Sequence, residues 1–296
     1  MSSLIELFNV SKDFGKTRVL SNIDLRICSG SVYGLIGPNG AGKTTLMKVM
    51  SGLLPFKGKL THEGDKSISF FPQVPDRLHH IFVSELLDLI STFSVVRNKK
   101  TIDMVLELLS INELLQKKVN ELSTGQKKRV LIAMTCLHQR KVIIFDEPLN
   151  GMDPLMVKNF QKIINILKVD TTLIISSHQL LEMDKFCDEI ILLHQGKVLE
   201  QGSVSNLKQK VSAHTEIQIK SSFVSEDVLE KFENRNITFS ELSSSGDDYE
   251  YLIQLQSTEV KVNDIISDLV KNDINISQLK SGTQNLDQVF DHYYGS

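Results

Sequence analysis

The 296-residue sequence has few cysteines, no tryptophan and no long apolar run. Its three cysteines are widely spaced and form no Cys-x-x-Cys pair, which argues against a disulfide framework and against a zinc site. Apolar runs such as Val142–Phe145 are far shorter than the roughly 20 residues that a membrane-spanning helix needs. The first residues lack a basic segment followed by an apolar stretch, so we expect no secretory signal. We therefore expect a cytoplasmic protein that takes any path across a membrane from another polypeptide.

The charges nearly balance, with 33 Lys and Arg against 36 Asp and Glu and a formal net charge of -3. No general attraction to nucleic acid or to an anionic membrane follows, and we expect no nucleic acid as a partner. The densest basic cluster is Lys127, Lys128 and Arg129, which we interpret as a solvated face of a helix. With 41% hydrophobic and 23% charged residues, the composition is typical of a folded globular protein.

From residue 4 to about 202, short β-rich runs alternate with glycine-containing turns and helical stretches. This alternation predicts an α/β domain with a largely parallel core sheet. The early runs at 5–10 and 19–27 favour an antiparallel β subdomain, and apolar residues at helical spacing predict a helical side lobe over about 78–120. The runs predicted as buried core strands are 32–36, 67–71, 142–145 and 172–176.

The composition shifts to Ser, Asn, Asp and Glu around residues 203–214, where we place a domain boundary. The prediction is a first domain over 1–205, a linker over 206–212 and a small α+β domain over 213–296. In that last region the predicted order is β-α-β-β-α-β followed by a helix over 286–293, which is a split βαβ, or ferredoxin-like, pattern.

A glycine-rich segment follows the apolar run at 32–36 and opens a helical stretch. In this context the glycines let backbone N–H groups form an anion-binding nest, the lysine reaches terminal phosphates and the threonine hydroxyl suits magnesium. A plain strand-to-helix turn would need neither the four-residue gap between glycines nor the Gly-Lys-Thr ending. The segment therefore predicts a site for a nucleoside triphosphate, formed by Gly37, Pro38, Asn39, Gly40, Ala41, Gly42, Lys43, Thr44 and Thr45.

Two acids, Asp146 and Glu147, end the apolar run at 142–145. An Asp at the carboxyl end of a parallel strand faces the crevice where ligands bind, so Asp146 is a candidate for holding magnesium. Glu147 is then a candidate general base for the attacking water. The alternative is that the two acids merely end a strand in solvent, and the nearby phosphate-binding motif makes this interpretation much weaker.

A third segment, Leu122-Ser123-Thr124-Gly125-Gln126, precedes another helical stretch. It resembles the signature Leu-Ser-Gly-Gly-Gln of the ATP-binding-cassette (ABC) ATPases, with a departure at Thr124. On the residues alone, Ser and Gly at a helix start form either an anion site or a simple cap. The resemblance covers residues 4 to about 202 and implies a P-loop NTPase-type fold with a mixed core sheet.

The resemblance also implies roles for residues outside these three motifs. Phe14 would stack on adenine, Gln73 would contact magnesium and the water, Asp153 would lie in a loop that crosses the dimer interface, and His178 would contact the γ-phosphate. ATP and Mg²⁺ are the implied ligands, with Glu147, His178, Gln73 and Lys43 as the catalytic set.

The implied assembly is a head-to-tail dimer with a second copy or a homologous ATPase. Ser123, Gly125 and Gln126 of one chain would face the nucleotide bound to the other. An integral membrane subunit on a separate chain would hold the protein at the inner face of the cell membrane.

The cargo has one indication in the sequence. Residues 285–290, Asn-Leu-Asp-Gln-Val-Phe, resemble the ending of ABC-2-type exporter ATPases, a group that includes drug, bacitracin, lantibiotic and amphipathic-peptide exporters. We therefore predict an exporter ATPase. Two alternatives stay open: an importer ATPase, or an ABC-type ATPase that acts on ribosomes or DNA.

Overall fold

A computed structural model describes the chain in segments. The chain divides into two compact units, Met1–Val204 and Ser205–Ser296, and each is described by itself. The described residues are 3–62, 68–71, 74, 76–94, 99–138, 140–178, 183, 185–211, 215–235, 237–245, 248–255, 262–281 and 293–294.

The first unit contains a small antiparallel sheet with the strand order β2-β1-β4. Its strands are β1 (Ser3–Phe14), β2 (Thr17–Cys28) and β4 (Lys57–His62). In β2, Ile23, Leu25 and Ile27 are buried while the residues between them are exposed. This alternation is what one apolar face of an antiparallel sheet requires, so the expected antiparallel β subdomain is confirmed.

The core sheet of the first unit has six strands in the order β5-β6-β7-β3-β8-β9. All neighbours pair in parallel except β8 and β9. Every residue of β3, β6 and β7 is buried, as expected for strands covered on both faces. The six strands are β3 (Val32–Ile36), β5 (Ile68–Phe70), β6 (Val142–Phe145), β7 (Thr172–Ser177), β8 (Glu189–His194) and β9 (Lys197–Ser203).

Five helices accompany these sheets in the described part of the first unit. Three of them lie between β5 and β6 in the chain, and the first two of these form the expected helical side lobe. Phe160 is fully buried, and its ring contacts those of Phe145 and Phe186 at centroid distances of 5.3 and 6.4 Å. The helices are α1 (Lys43–Met50), α2 (Val83–Thr92), α3 (Lys99–Leu108), α4 (Thr124–Leu137) and α5 (Pro154–Leu167).

The second unit is built on a four-stranded antiparallel sheet in the order β11-β12-β10-β13. The strand β12 lies between β10 and β11, which is the split arrangement expected from the element order. The elements are α6 (Val204–Val211), β10 (Thr215–Ser221), α7 (Glu226–Glu233), β11 (Ile237–Ser245), β12 (Asp248–Leu255), α8 (Val262–Lys271) and β13 (Ile276–Ser281).

The linker prediction for residues 206–212 is wrong for most of its length, because helix α6 continues to Val211. The predicted last helix over 286–293 falls almost wholly outside the described residues. Among the described residues, no helix combines the length and the apolar character that crossing a membrane requires.

We predict that the two units fold independently, since each has its own buried apolar cluster. A fragment of residues 1–204 should unfold cooperatively and keep nucleotide binding, and a fragment of residues 205–296 should also fold. Circular dichroism during thermal unfolding measures both.

A matched fragment cut inside the second unit, after Arg235, should leave its one remaining strand, β10, unfolded because the cut removes β11, β12 and β13. Loss of cooperative unfolding in the fragment 1–204 would contradict the proposed division.

Candidate functional site

The loop between β3 and α1 contains the predicted phosphate-binding residues. Gly40 and Gly42 have φ angles of 82° and 106°, a left-handed region that glycine enters without steric cost. At Gly37, an added Cβ would lie 2.2 Å from the backbone oxygen of Leu193, so the loop can approach β8 only with glycine there. Helix α1 begins at Lys43 directly after this loop, which places the positive end of its dipole at the site.

Lys43 lies inside the loop, with only 6% of its surface exposed. Its Nζ donates hydrogen bonds to the carbonyl oxygens of Gly37 at 2.7 Å and Pro38 at 3.1 Å. The same Nζ lies 3.3 Å from Oε1 of Glu147. The lysine of the loop and the acid after β6 are therefore direct neighbours.

Asp146 is held between α1 and β7 by two hydroxyl groups. Thr44 Oγ1 donates to Oδ2 of Asp146 at 2.7 Å, and Ser176 Oγ donates to Oδ1 at 2.7 Å. A carboxylate beside a hydroxyl is the kind of oxygen donor set that Mg²⁺ takes, with waters and phosphate oxygens completing the shell. The residues present therefore fit this ion.

Glu147 has an unusual backbone and a crowded carboxylate. Its φ is 44°, which is uncommon for a residue other than glycine, and its N–H donates to Ser176 Oγ at 2.8 Å. Nδ1 of His178 lies 3.2 Å from Oε2, and the amide of Asn150 donates to the same oxygen. The side chains of His178, Asn150 and Lys43 thus surround this carboxylate.

Lys128 on α4 donates a hydrogen bond from Nζ to the backbone carbonyl of Glu147. Burial lowers the pKa of Lys128 below the usual lysine value, while the nearby carboxylates of Glu147 and Asp146 oppose that shift. Arg129 is also turned inward, with 15% of its side chain exposed and a 2.8 Å hydrogen bond to the carbonyl of Ser110. The interpretation of this basic cluster as a solvated face is therefore wrong for both residues, because α4 is covered by the helical lobe and by the core sheet.

An open cleft of about 270 Å³ lies over the phosphate-binding loop. Phe14 is half exposed at the end of β1 with Lys12 Nζ 4.9 Å from its ring centre, and it is not among the residues that line this cleft. The lining residues are Val19, Asn39, Gly40, Gly42, Lys43, Thr44, Thr45 and Glu147.

The signature-like segment caps helix α4. Ser123 Oγ accepts from the N–H of Gln126 at 3.3 Å, and Gln126 Oε1 accepts from the N–H of Ser123 at 3.1 Å, which is a capping box. Asp153 caps α5 in a similar way, accepting from the N–H of Met156 at 2.9 Å. Both Ser123 and Asp153 are exposed, and neither lines the cleft over the phosphate-binding loop of the same chain.

Gln73 lies outside the described residues, so its predicted place stays a prediction. Sequence reasoning did not assign roles to Ser176, Lys128, Asn150 or Val19. The neighbouring strands β6 and β7 pair Phe145 with Ile175, so the next residues along each strand, Asp146 and Ser176, also meet. A serine in the run before His178 was thus a usable signal, whereas the contact of Lys128 depends on how α4 packs.

Comparison with known proteins gives consistent similarities. A family model described as ABC transporter matches residues 20–150. The chain is 26% identical over 309 residues to the bacitracin transport ATP-binding protein BcrA of Enterococcus faecalis, covering 100% of this chain and 97% of that protein. It is 33% identical over 222 residues to the probable sulfate/thiosulfate import ATP-binding protein CysA of Chlorella vulgaris, covering 70% of this chain and 93% of that protein. A solved structure of an ATP binding subunit of an ABC transporter aligns with a TM-score of 0.63 at 24% identity, covering 70% of this chain and 92% of that one.

We predict that Ser176→Ala lowers the free energy of unfolding by about 1 to 3 kcal/mol, because Asp146 and the N–H of Glu147 each lose a buried partner. The same change should also reduce hydrolysis of ATP. Chemical denaturation and phosphate release measure the two effects.

The matched control is Ser69→Ala. Ser69 is equally buried, and its hydroxyl donates at 2.6 Å to the carbonyl of Thr135 rather than to either acid. The Ser69→Ala protein should lose stability and keep its ATP turnover. An equal loss of turnover in Ser69→Ala and Ser176→Ala would contradict a specific role for Ser176.

Proposed function

Since the chain belongs to the ABC transporter family and is an ATP-binding subunit of that family, we propose that it hydrolyses ATP to drive the export of drugs or amphipathic peptides. The family is one of ATP-hydrolysing transporter subunits, so the chain is classed as an ATPase. One observation carries the assignment of its site: the phosphate-binding loop and the two acids after β6 meet at one edge of the core sheet.

The loop at residues 37–45 is proposed to bind the phosphates of ATP. The N–H groups at the start of α1 and the left-handed glycines favour anions there. The ammonium group of Lys43 donates to two carbonyls of the same loop, and it would exchange these partners for the terminal phosphates when ATP binds. Phe14 is the proposed contact for the adenine ring. Its half-exposed ring supports this role, since an aromatic face open to solvent can stack on a base.

Thr44 and Asp146 would hold the magnesium ion, with Gln73 as a further proposed ligand. Their adjacent oxygen atoms support this, because Mg²⁺ is commonly held by one or two carboxylates together with substrate phosphates. When bound, the ion neutralises charge on the β- and γ-phosphates.

Glu147 is the proposed general base. Its carboxylate lies over the cleft beside Lys43, where it can accept a proton from a water that attacks the γ-phosphate. His178, 3.2 Å from that carboxylate, would contact the γ-phosphate and orient the base.

A second copy of the chain, or a homologous ATPase, would complete the site. Ser123, Gly125 and Gln126 lie at the start of α4, an anion-attracting position, and do not line the cleft of their own chain. A head-to-tail partner would bring this segment to the γ-phosphate, with Asp153 in the loop between the two chains. Hydrolysis would then remove the charge-assisted hydrogen bonds that hold the two chains together.

The export direction is supported by two observations. Residues 285–290 resemble the ending of ABC-2-type exporter ATPases. The bacitracin transport relative aligns over the whole of this chain, including the C-terminal unit, whereas the import relative aligns over 70% of it. An integral membrane subunit on a separate chain would then supply the path and hold this protein at the cytoplasmic face of the membrane.

We predict that Lys43→Ala abolishes turnover and that Glu147→Gln keeps ATP binding but slows hydrolysis to a small residual rate. The glutamine preserves shape and removes the base, so Mg-ATP should hold Glu147→Gln as a dimer. Size-exclusion chromatography with Mg-ATP shows the shift from monomer to dimer. The matched control is Glu107→Gln, a change on the exposed side of α3, which should behave like the wild type. A Glu147→Gln protein that stays monomeric while binding ATP would count against the dimeric site.

We also predict ATP-dependent uptake of labelled bacitracin into inside-out vesicles from cells that make this chain with its membrane partner. Vesicles with Glu147→Gln should show none, because turnover is the energy source. Uptake of bacitracin into right-side-out vesicles instead would favour an importer, and absence of ATP-dependent uptake in both would reject this cargo.

A further inference from the structure

The peptide backbone of Glu147 is held on both sides by side chains from different elements. On one side its N–H donates to Ser176 of β7 at 2.8 Å, and on the other its carbonyl accepts from Nζ of Lys128 on α4. The backbone between these contacts has a φ of 44°, which non-glycine residues avoid unless their surroundings impose it. The two contacts therefore fix the direction in which the Glu147 carboxylate leaves the chain.

Lys128 is confined in a way that a surface lysine is not. Its side chain lines a cavity of about 70 Å³ together with Phe71, Leu131 and Pro148. An ammonium group that is partly withdrawn from water needs acceptors and negative charge nearby, and here the carbonyl of Glu147 and the adjacent carboxylates provide both. The hydrogen bond between Lys128 and the carbonyl of Glu147 therefore stabilises both the ammonium group and the loop that holds Glu147.

The position of Lys128 in α4 gives this contact a second property. Helix α4 begins at Thr124 with Ser123 as its cap, so Lys128 lies a little more than one turn from the helix start. A shift of the helix start would therefore carry the backbone of Lys128 with it, and the hydrogen bond from its ammonium group would transmit that shift to the carbonyl of Glu147.

We propose that Lys128 is a positioning residue that couples the start of α4 to the placement of the Glu147 carboxylate. This inference rests on the proposed function, in which the start of α4 contacts the nucleotide on one side of a dimer and Glu147 acts on the nucleotide on the other side. Engagement of Ser123 at one nucleotide would then align the base at the other.

The test compares Lys128→Met, which removes the donor and keeps the length of the side chain, with Lys128→Arg, which keeps a donor. The full-length chain is used at a concentration at which the wild type turns over ATP. For Lys128→Met, kcat should fall about tenfold with KM for ATP within about twofold of the wild type, and Lys128→Arg should recover at least about a third of the wild-type kcat. Lys127→Met, which removes the same charge one residue away, should leave kcat unchanged.

Two double-mutant cycles separate positioning from a general loss of structure. On a Glu147→Gln background, Lys128→Met should change the residual turnover by less than about twofold, because the group that it positions is gone. The fall in kcat of the double variant Lys128→Met with Ser123→Ala should be smaller than the product of the falls in the two single variants. A tenfold fall in turnover caused by Lys128→Met on the Glu147→Gln background would overturn the coupling. So would a fall in kcat of the double variant with Ser123→Ala that equals the product of the two single falls.

The outcomes also separate this inference from the proposed function. A wild-type protein that binds but does not hydrolyse ATP would contradict the proposed function. A wild-type protein that hydrolyses ATP, with Lys128→Met indistinguishable from Lys127→Met, would overturn only the role of Lys128. If thermal unfolding shows that Lys128→Met does not fold, Lys128→Leu, which also lacks a donor, replaces it, and a kcat for Lys128→Leu equal to that of Lys128→Arg would also overturn the role.

Discussion

The hydrogen bond between the Thr44 hydroxyl and the Asp146 carboxylate joins two parts of the chain that lie 102 residues apart. It can form because β6, β7 and β3 are neighbours in one parallel sheet, so that their carboxyl ends reach the same edge. The phosphate-binding loop follows β3, the two acids follow β6, and His178 follows β7. Each other contact of the site, including that of Lys43 with Glu147, depends on this order of strands.

Much of this arrangement could be predicted from the sequence, because the chemistry of a phosphate-binding loop restricts both residue type and spacing. The spacing of the glycines with Lys43 and Thr44 predicts the loop, and the position of Asp146 and Glu147 after an apolar run predicts the two acids. The family predicted from these motifs is confirmed by the curated relatives, and the fold class is confirmed by the likeness to solved structures and by the sheet topology.

The remaining parts depend on packing, which local pattern does not encode. The place of Ser176 follows from the register between β6 and β7, and the contact of Lys128 follows from the burial of α4 between the lobe and the sheet. A run of three basic residues is ordinarily solvated, so the sequence alone predicts an exposed side chain for Lys128, which the structure does not show. The linker prediction failed for a related reason: the polar residues at 206–211 form a helix, and polarity alone does not exclude one.

The backbone of Glu147 shows how such packing contributes to chemistry. A left-handed conformation at a non-glycine residue costs on the order of 1 to 3 kcal/mol, and the structure retains it because neighbouring contacts offset that cost. A neutral hydrogen bond contributes about 0.5 to 1.5 kcal/mol and one from a charged donor about 1.5 to 3, so Ser176 and Lys128 together are sufficient. Because this cost is met when the protein folds, the direction of the Glu147 carboxylate is already set in the folded protein, which is the condition under which the proposed general base would be most effective.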